Sequence, residues 1–281
     1  MDNKGKLYVV ATPIGNLNDL SRRAEDTFRT VDFIAAEDTR VTSKLLNHLD
    51  IKKPLVSYYQ HNMYERGEMV LDRVLAGESC ALCSDAGTPA VSDPGELLVK
   101  QAIDLGIEVI PIPGACAAIT ALCSSGLVTG RFVFEGFIPV NKKSRRERLL
   151  EIKDERRTLI FYEAPHKLKN TLADLLEAFG DREITLAREL TKIHEEIVKT
   201  TLSQANSIYC EREPKGEYVL VVAGCEAPQS PEKSSDDEAF KLVDSLIKSG
   251  LSLSEACKQA AAQTGRKKSE LYKLTIDSKG R

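Results

Sequence analysis

The sequence predicts two α/β domains, the first on a mainly parallel sheet and the second on a mixed one, followed by a small helical module. Three observations carry this. Short apolar strands alternate with helical periodicities from residue 7 onward. Two Gly/Pro-rich turns, SDAGTPAVSDPG at 84–95 and IPIPGACAAITA at 110–121, begin where successive strands end. Such turns describe a ligand crevice at the carboxyl edge of an open sheet. Finally, APQSPEKSSDD at 227–237 reads as a linker, and beyond it the periodicity is purely helical.

Residues 7–11 form the first strand. Leu20, Ala24, Phe28 and Val31 then recur at helical spacing, with Ser21 as N-cap. A strand at 33–36, a helix through 44–48, a strand at 54–57 and a helix around 65–75 follow. The strands at 78–83 and 106–112 lead into the two turns, with helices over 96–105 and 115–124 behind them. This βα alternation implies a parallel sheet covered on both faces, closing a domain over 1–125.

The second domain spans 126–226. It opens with a strand at 131–135, a helix at 144–154, a strand at 158–162 and a helix at 166–179. Strands at 184–189, 194–202 and 217–223 have little helix between them, so this sheet is mixed, and 204–214 reads as a loop. After the linker come helices at 238–248, 254–263 and 267–274 in a module over 238–281. Ser252 and Glu255 fit a capping box. The last two helices join through Thr264-Gly265 and resemble a helix-turn-helix; a helical cap on the sheet domains fits the same pattern.

With 281 residues and 42% hydrophobic content the chain is ordinary for a soluble globular protein, and no run approaches the ~20 apolar residues of a membrane span. The first residues lack the apolar core of a signal peptide. Seven cysteines, several in apolar segments, suit reduced thiols in the cytoplasm. Cys80 and Cys83 point to opposite faces of a strand and have no second pair at zinc spacing, so no metal is expected. The net charge of −3 means that an anionic partner is met by local patches. NKKSRRER at 141–148 supplies Lys142, Lys143, Arg145, Arg146 and Arg148; the second patch is Arg266, Lys267 and Lys268.

Seven motifs stand in order along the chain: LYVVATPIGNLND at 7–19, AAEDTR at 35–40, the turn at 84–95, PGACAA at 113–118, EAPHK at 163–167, ARELTK at 187–192 and KGEYVL at 215–220. Together they resemble the tetrapyrrole methylase superfamily. Within it the likeness is to the bacterial branch that methylates the ribose 2′-hydroxyl of a cytidine in 16S ribosomal RNA of the small subunit. Relatives acting on corrinoid precursors often carry a second glycine where this chain has Thr12-Pro13, a departure that fits the RNA branch. The resemblance implies S-adenosylmethionine in the crevice between two α/β domains, usually in a homodimer. Carried over position by position, the cofactor meets Ile14, Gly15, Asp85, Gly87, Thr88, Cys116, Ala117, Tyr162, Ala187 and Gly216. Pro113 and Gly114 let the next helix present its amides to the ligand's carboxylate.

Asp85 suits the ribose hydroxyls or the amine of the cofactor, and equally suits a turn cap. A ribose hydroxyl needs a base, worth typically ~10²–10⁴ in rate. The candidates are Glu37, Asp38, Arg40, His61, Glu163, His166, Arg188, Glu189 and Lys192, with none singled out. Glu37, Asp38 and Arg40 fit a turn-steadying ion pair as well as a crevice edge. His61-Asn62 fits a helix cap, and Arg188 and Lys192 suit phosphate contacts better than proton transfer. Lys142 to Arg148 reads either as an RNA-tracking surface or as a solvated helix face. Two other functions remain open: methylation of a tetrapyrrole or other small molecule, and a non-catalytic RNA-binding assembly factor. The intact glycine turns count against the second.

Overall fold

The computed structural model describes residues 5–226 and 235–279. Residues up to Cys225 form one compact unit and those from Glu226 a second. The first unit holds two five-stranded sheets. In the first sheet β1 (Lys6–Val10), β2 (Phe33–Ala36), β3 (Leu55–Ser57), β4 (Cys80–Cys83) and β5 (Glu108–Ile112) are all parallel, in the order β3-β2-β4-β1-β5. Their connections are α1 (Arg22–Thr30), α2 (Thr39–His48), α3 (Met63–Leu75) and α4 (Gly95–Asp104). Val10, Ile34, Ala81 and Cys83 pack under Phe28 of α1 and Leu46 of α2. Leu7, Phe33, Cys80 and Leu82 pack on the other face under Val70 of α3 and Leu98 of α4. Alternate residues of one strand therefore serve two cores, which is why β2 and β4 are apolar throughout. Cys80 and Cys83 fall on opposite faces as expected, and burial pushes the Cys83 thiol up to about 12.

In the second sheet β6 (Phe132–Phe137) and β7 (Thr158–Glu163) are parallel, while β8 (Glu183–Arg188), β9 (Glu196–Thr201) and β10 (Tyr218–Val222) pair antiparallel, in the order β6-β7-β10-β8-β9. The expected mixed sheet is present. One face is covered by α6 (Lys142–Ile152), α7 (Pro165–Phe179) and α8 (Leu202–Glu211). α8 stands where a loop was expected. Thr201 accepts a hydrogen bond from the Gln204 amide at its N-terminus, and Leu202, Ala205 and Tyr209 turn inward. Three apolar residues among polar ones gave too thin a stripe to read. The other face is covered by α5 (Ala117–Ser125), whose Ala118, Ala121 and Leu122 pack on Ile160, Ala187, Val219 and Val221. The sequence reading counted this helix with the first sheet.

The second unit contains α9 (Asp236–Lys248), α10 (Leu253–Thr264) and α11 (Lys268–Lys279) around Val243, Cys257, Ala260 and Leu271. Ser252 and Glu255 form the expected capping box, and Ser235 with Glu238 forms another, starting α9 two residues earlier than expected. Residues 227–234 of the expected linker lie outside the described residues. Among the described residues no helix is long and apolar enough to cross a membrane, and no group of three or more His, Cys, Asp or Glu side chains is arranged to hold a metal.

Candidate methyl-donor cleft

The carboxyl ends of β1, β4, β7 and β8 and the approaches to α5 and β10 meet in a cleft of about 370 Å³. One wall is the turn after β4. Gly87 there has φ +82, and its backbone exchanges hydrogen bonds with Thr12 (2.9 and 3.1 Å), tying the turn to the end of β1. A Cβ at Gly87 would reach within 3.2 Å of Ile14. Asp93 accepts hydrogen bonds from the Ala90 and Gly95 amides (2.9 and 2.8 Å), which holds Ala90 and Ser92 at positive φ. The opposite wall is the turn after β8, where Glu189 and Thr191 are also at positive φ. Non-glycine residues so placed cost about 1–3 kcal/mol each and persist where the surroundings over-determine them.

Acids dominate the lining: Glu37, Asp85, Asp93, Glu163, Glu189 and Glu217, against one cation, Lys192. Burial, then the neighbouring Asp85 charge, raises the Glu37 carboxyl above its usual range, and burial raises Asp85. Asp85 accepts the Asp38 amide at 2.9 Å, and its own amide points at Glu37 (3.4 Å). Lys192 sits 2.9 Å from both Glu189 and Glu217. Burial opposes its charge, but these two carboxylates outweigh it and raise its pKa, so it stays an ammonium. Burial likewise pushes Glu189 up, and the Glu217 amide with Lys192 pulls it below its ordinary value.

Eight of the sequence-predicted cofactor contacts line this cleft: Ile14, Asp85, Gly87, Thr88, Cys116, Ala117, Tyr162 and Ala187. Gly15 lies in the adjoining recess of about 350 Å³ with Thr12, Leu17 and Lys44. Gly216 borders the cleft through Glu217; its Cβ would fall 2.4 Å from Glu189 Cγ. Pro113 and Gly114 are not in the lining. Gly114 leaves room for Ala11, whose Cβ would stand 2.9 Å from an added one, and so serves strand packing rather than a ligand. Of the amides at the start of that helix, the Ala118 amide donates to the Tyr162 hydroxyl at 3.2 Å.

Of the nine catalytic candidates, Glu37, Glu163, Glu189 and Lys192 line the cleft. Asp38 caps α2 and forms an ion pair with Arg40 at 2.6 Å; chiefly that pairing holds its carboxyl down to about 2, so it is a poor proton acceptor. Arg188 turns to Glu196, 3.0 Å away at an angle unsuited to a hydrogen bond. His61 is exposed against the edge of Tyr59, beside the Asn62 that starts α3, and His166 is exposed in the first turn of α7. Both lie off the cleft. The sequence reading missed Phe137, Glu217 and the strained positions. A strand-end aromatic and an acid before a strand carry no signal until the second sheet folds beside the first.

The basic patches are also resolved. Arg145 is turned inward and paired with Asp174, and Arg148 bridges Glu135 and Glu151 (2.7 Å each), so neither offers the free surface charge expected of it. Lys143 is 3.9 Å from Glu147, while Lys142 and Arg146 are exposed. In the helical unit Arg266 pairs with Asp236 (2.5 Å), Lys268 donates to Ser254 (2.8 Å), and Lys267 is exposed.

Residues 6–206 match the family model of tetrapyrrole (corrin/porphyrin) methylases. The chain belongs to the tetrapyrrole methylase family. Among its relatives, a ribosomal RNA small subunit methyltransferase I of Synechocystis is 48% identical, over 97% of this chain and 98% of the relative. One from Pseudomonas aeruginosa is 46% identical over 99% of each. Among solved structures, a tetrapyrrole methylase of Thermus thermophilus, uroporphyrin-III-C-methyltransferase, superposes with TM-score 0.57 at 20% identity, covering 78% of this chain and 94% of that one. The form of that enzyme complexed with S-adenosyl homocysteine gives 0.55 at 17% identity, covering 78% and 97%. At such identities the likeness is one of fold: two α/β layers of the tetrapyrrole methylase type with the cleft between them.

Proposed function

We propose that the protein transfers the methyl group of S-adenosylmethionine to the ribose 2′-hydroxyl of a cytidine in 16S ribosomal RNA of the small subunit. The observation that carries the substrate is the 46% and 48% identity, along almost the whole chain, to enzymes named for small-subunit ribosomal RNA methylation. A cleft with six carboxylates and one paired ammonium suits a cationic donor, and the left-handed Gly87 lets backbone approach it. Thr191, in the turn of the opposite wall, carries a buried hydroxyl oxygen with no hydrogen-bond partner among the described residues.

When bound, S-adenosylmethionine supplies a methyl group made electrophilic by its sulfonium. The chain's own residues do the rest. Asp85 and Glu189 hold negative charge toward the cleft, and Tyr162 with Phe137 closes its apolar side, edge to face at 5.6 Å. Glu37 takes the hydroxyl proton: burial and the Asp85 charge raise its carboxyl above its ordinary value, the direction that suits a base. Lys192, fixed as an ammonium, steadies negative charge nearby rather than accepting a proton. Cytoplasmic location and a homodimer belong to the same reading.

The test uses small subunits from a strain lacking the gene, incubated with the protein and a labelled methyl donor, followed by nucleoside mass spectrometry. Methylated cytidine at one position is expected. No label in the RNA would refute the assignment.

A further inference from the structure

On the helical face of the second sheet, α6 and α7 enclose an open groove of about 850 Å³ that shares no lining residue with the cleft. Five cations line it: Lys142, Arg145 and Arg146 on α6, Lys153 at its C-terminus and Lys167 on α7. Arg145 pairs with Asp174; the other four have no carboxylate of a described residue within ion-pair distance, whereas Lys143, Arg148 and Lys169 on this sheet's helices are paired. Of the two acids in the lining, Asp174 is taken by Arg145, leaving Glu177. Unpaired cations facing one another across a groove repel, and a fold tolerates them readily when a polyanion is to neutralise them.

The spacing fits a chain of phosphates. Lys142, Arg146 and Lys153 lie along one side of α6, and at about 1.5 Å per residue they span about 16 Å. Asn170 of α7 adds a side-chain amide to the lining. Leu150 and Val140 offer half-exposed and exposed apolar surface beside the charges. The groove is also joined to the cleft. Arg145 Nη2 donates to Thr171 Oγ1 at 2.8 Å, and the Thr171 hydroxyl donates to Glu163, a buried carboxylate that lines the cleft. Thr171 of α7 thus links a groove side chain to a carboxylate of the cleft.

We propose that the α6–α7 groove seats the phosphodiester backbone of the RNA substrate, with Lys142, Arg146, Lys153 and Lys167 as its phosphate contacts. This rests on the RNA-methylation reading and replaces the linear stretch from Lys142 to Arg148 with a groove drawn from two helices.

The experiment compares the full-length protein with the quadruple variant Lys142→Gln, Arg146→Gln, Lys153→Gln, Lys167→Gln and with a charge-keeping control in which each Lys becomes Arg and Arg146 becomes Lys. Binding of a labelled single-stranded RNA fragment of the small subunit is measured against salt, alongside KM for small subunits and calorimetric affinity for S-adenosylhomocysteine. Loss of four contacts should flatten the slope of log K against log salt by about 3. KM should rise tenfold or more, with S-adenosylhomocysteine affinity unchanged and the control close to wild type. An unchanged slope and KM in a variant that still methylates would overturn the groove and leave the methylation reading standing. Weaker binding to intact subunits with unaltered binding to free RNA would overturn it in favour of a protein contact. Should the wild type methylate no RNA, that reading fails, and the salt slope alone decides the groove.

Discussion

Gly216 sits where the approach to β10 passes the turn after β8, and Gly216→Ala tests how rigid that wall is. The residue has φ +77, a region that costs a side-chain-bearing residue roughly 1–2 kcal/mol. The new methyl would lie 2.4 Å from Glu189 Cγ and 2.6 Å from its Cδ. Glu189 cannot swing aside freely, because its Oε1 accepts the Glu217 amide and Lys192 Nζ, each at 2.9 Å. Crowding of this kind costs typically 1–3 kcal/mol, so the sum is about 2–5 kcal/mol. Gly126→Ala is the control: φ there is +75, but the nearest obstacle is the far end of the flexible Lys199 side chain. It should cost only the backbone term of roughly 1–2 kcal/mol. Urea unfolding monitored by circular dichroism gives both values, and calorimetry with S-adenosylhomocysteine should show at least tenfold weaker binding for Gly216→Ala alone. Equal costs for the two variants, with affinity retained, would refute a wall held rigid by Glu189.

Glu37→Gln should separate stability from activity. Because the folded state raises this carboxyl, ionisation disfavours folding as pH climbs from the ordinary carboxylate range through the raised value; the variant should therefore be more stable than wild type at neutral pH, the gap closing in acid. Its kcat should fall on the order of 10²–10⁴ with KM little changed, and a neutral-pH kcat like wild type would remove Glu37 as the base. Thr171→Val leaves the buried Glu163 carboxylate and Arg145 without their shared hydroxyl, costing about 2–4 kcal/mol in urea unfolding, whereas Thr171→Ser should recover most of it. Valine tolerated at no cost would show that Arg145 re-pairs directly with Glu163.

What the sequence made legible is what local chemistry determines. The turn at 84–95 announces itself because Gly, Pro and Asp are needed there: Gly87 for its left-handed backbone, Asp93 to accept two amides. The capping box at Ser252 is equally local. What escaped depends on partners far along the chain. Arg145 looks like its neighbours on α6 until Asp174, from another helix, takes it inward. Gly114 reads as a ligand-facing glycine until Ala11, just past the first strand, is found against it. α8 lacks a strong periodicity and owes its place to Leu202 and Tyr209 meeting a core built by α6, β7, α7, β8 and β10.

The same distinction explains where the cleft stores its strain. Among the described residues five non-glycine positions have φ between +50 and +67, and four of them, Ala90, Ser92, Glu189 and Thr191, lie in the two turns that face each other across the cleft. Each turn is pinned by an acid accepting a backbone amide: Asp93 from Ala90, Glu195 from Thr191 at 2.6 Å. Strain held this way is an energetic liability in the empty protein and has no structural benefit elsewhere in the fold. Its value lies in shape fixed before a ligand arrives, because a wall that need not reorganise puts its binding energy into orientation. The acids Asp85 and Glu37 carry the matching electrostatic liability, since both are forced to hold charge against burial until a cation relieves it. A site unfavourable in both backbone and charge when empty is one built around a cationic guest.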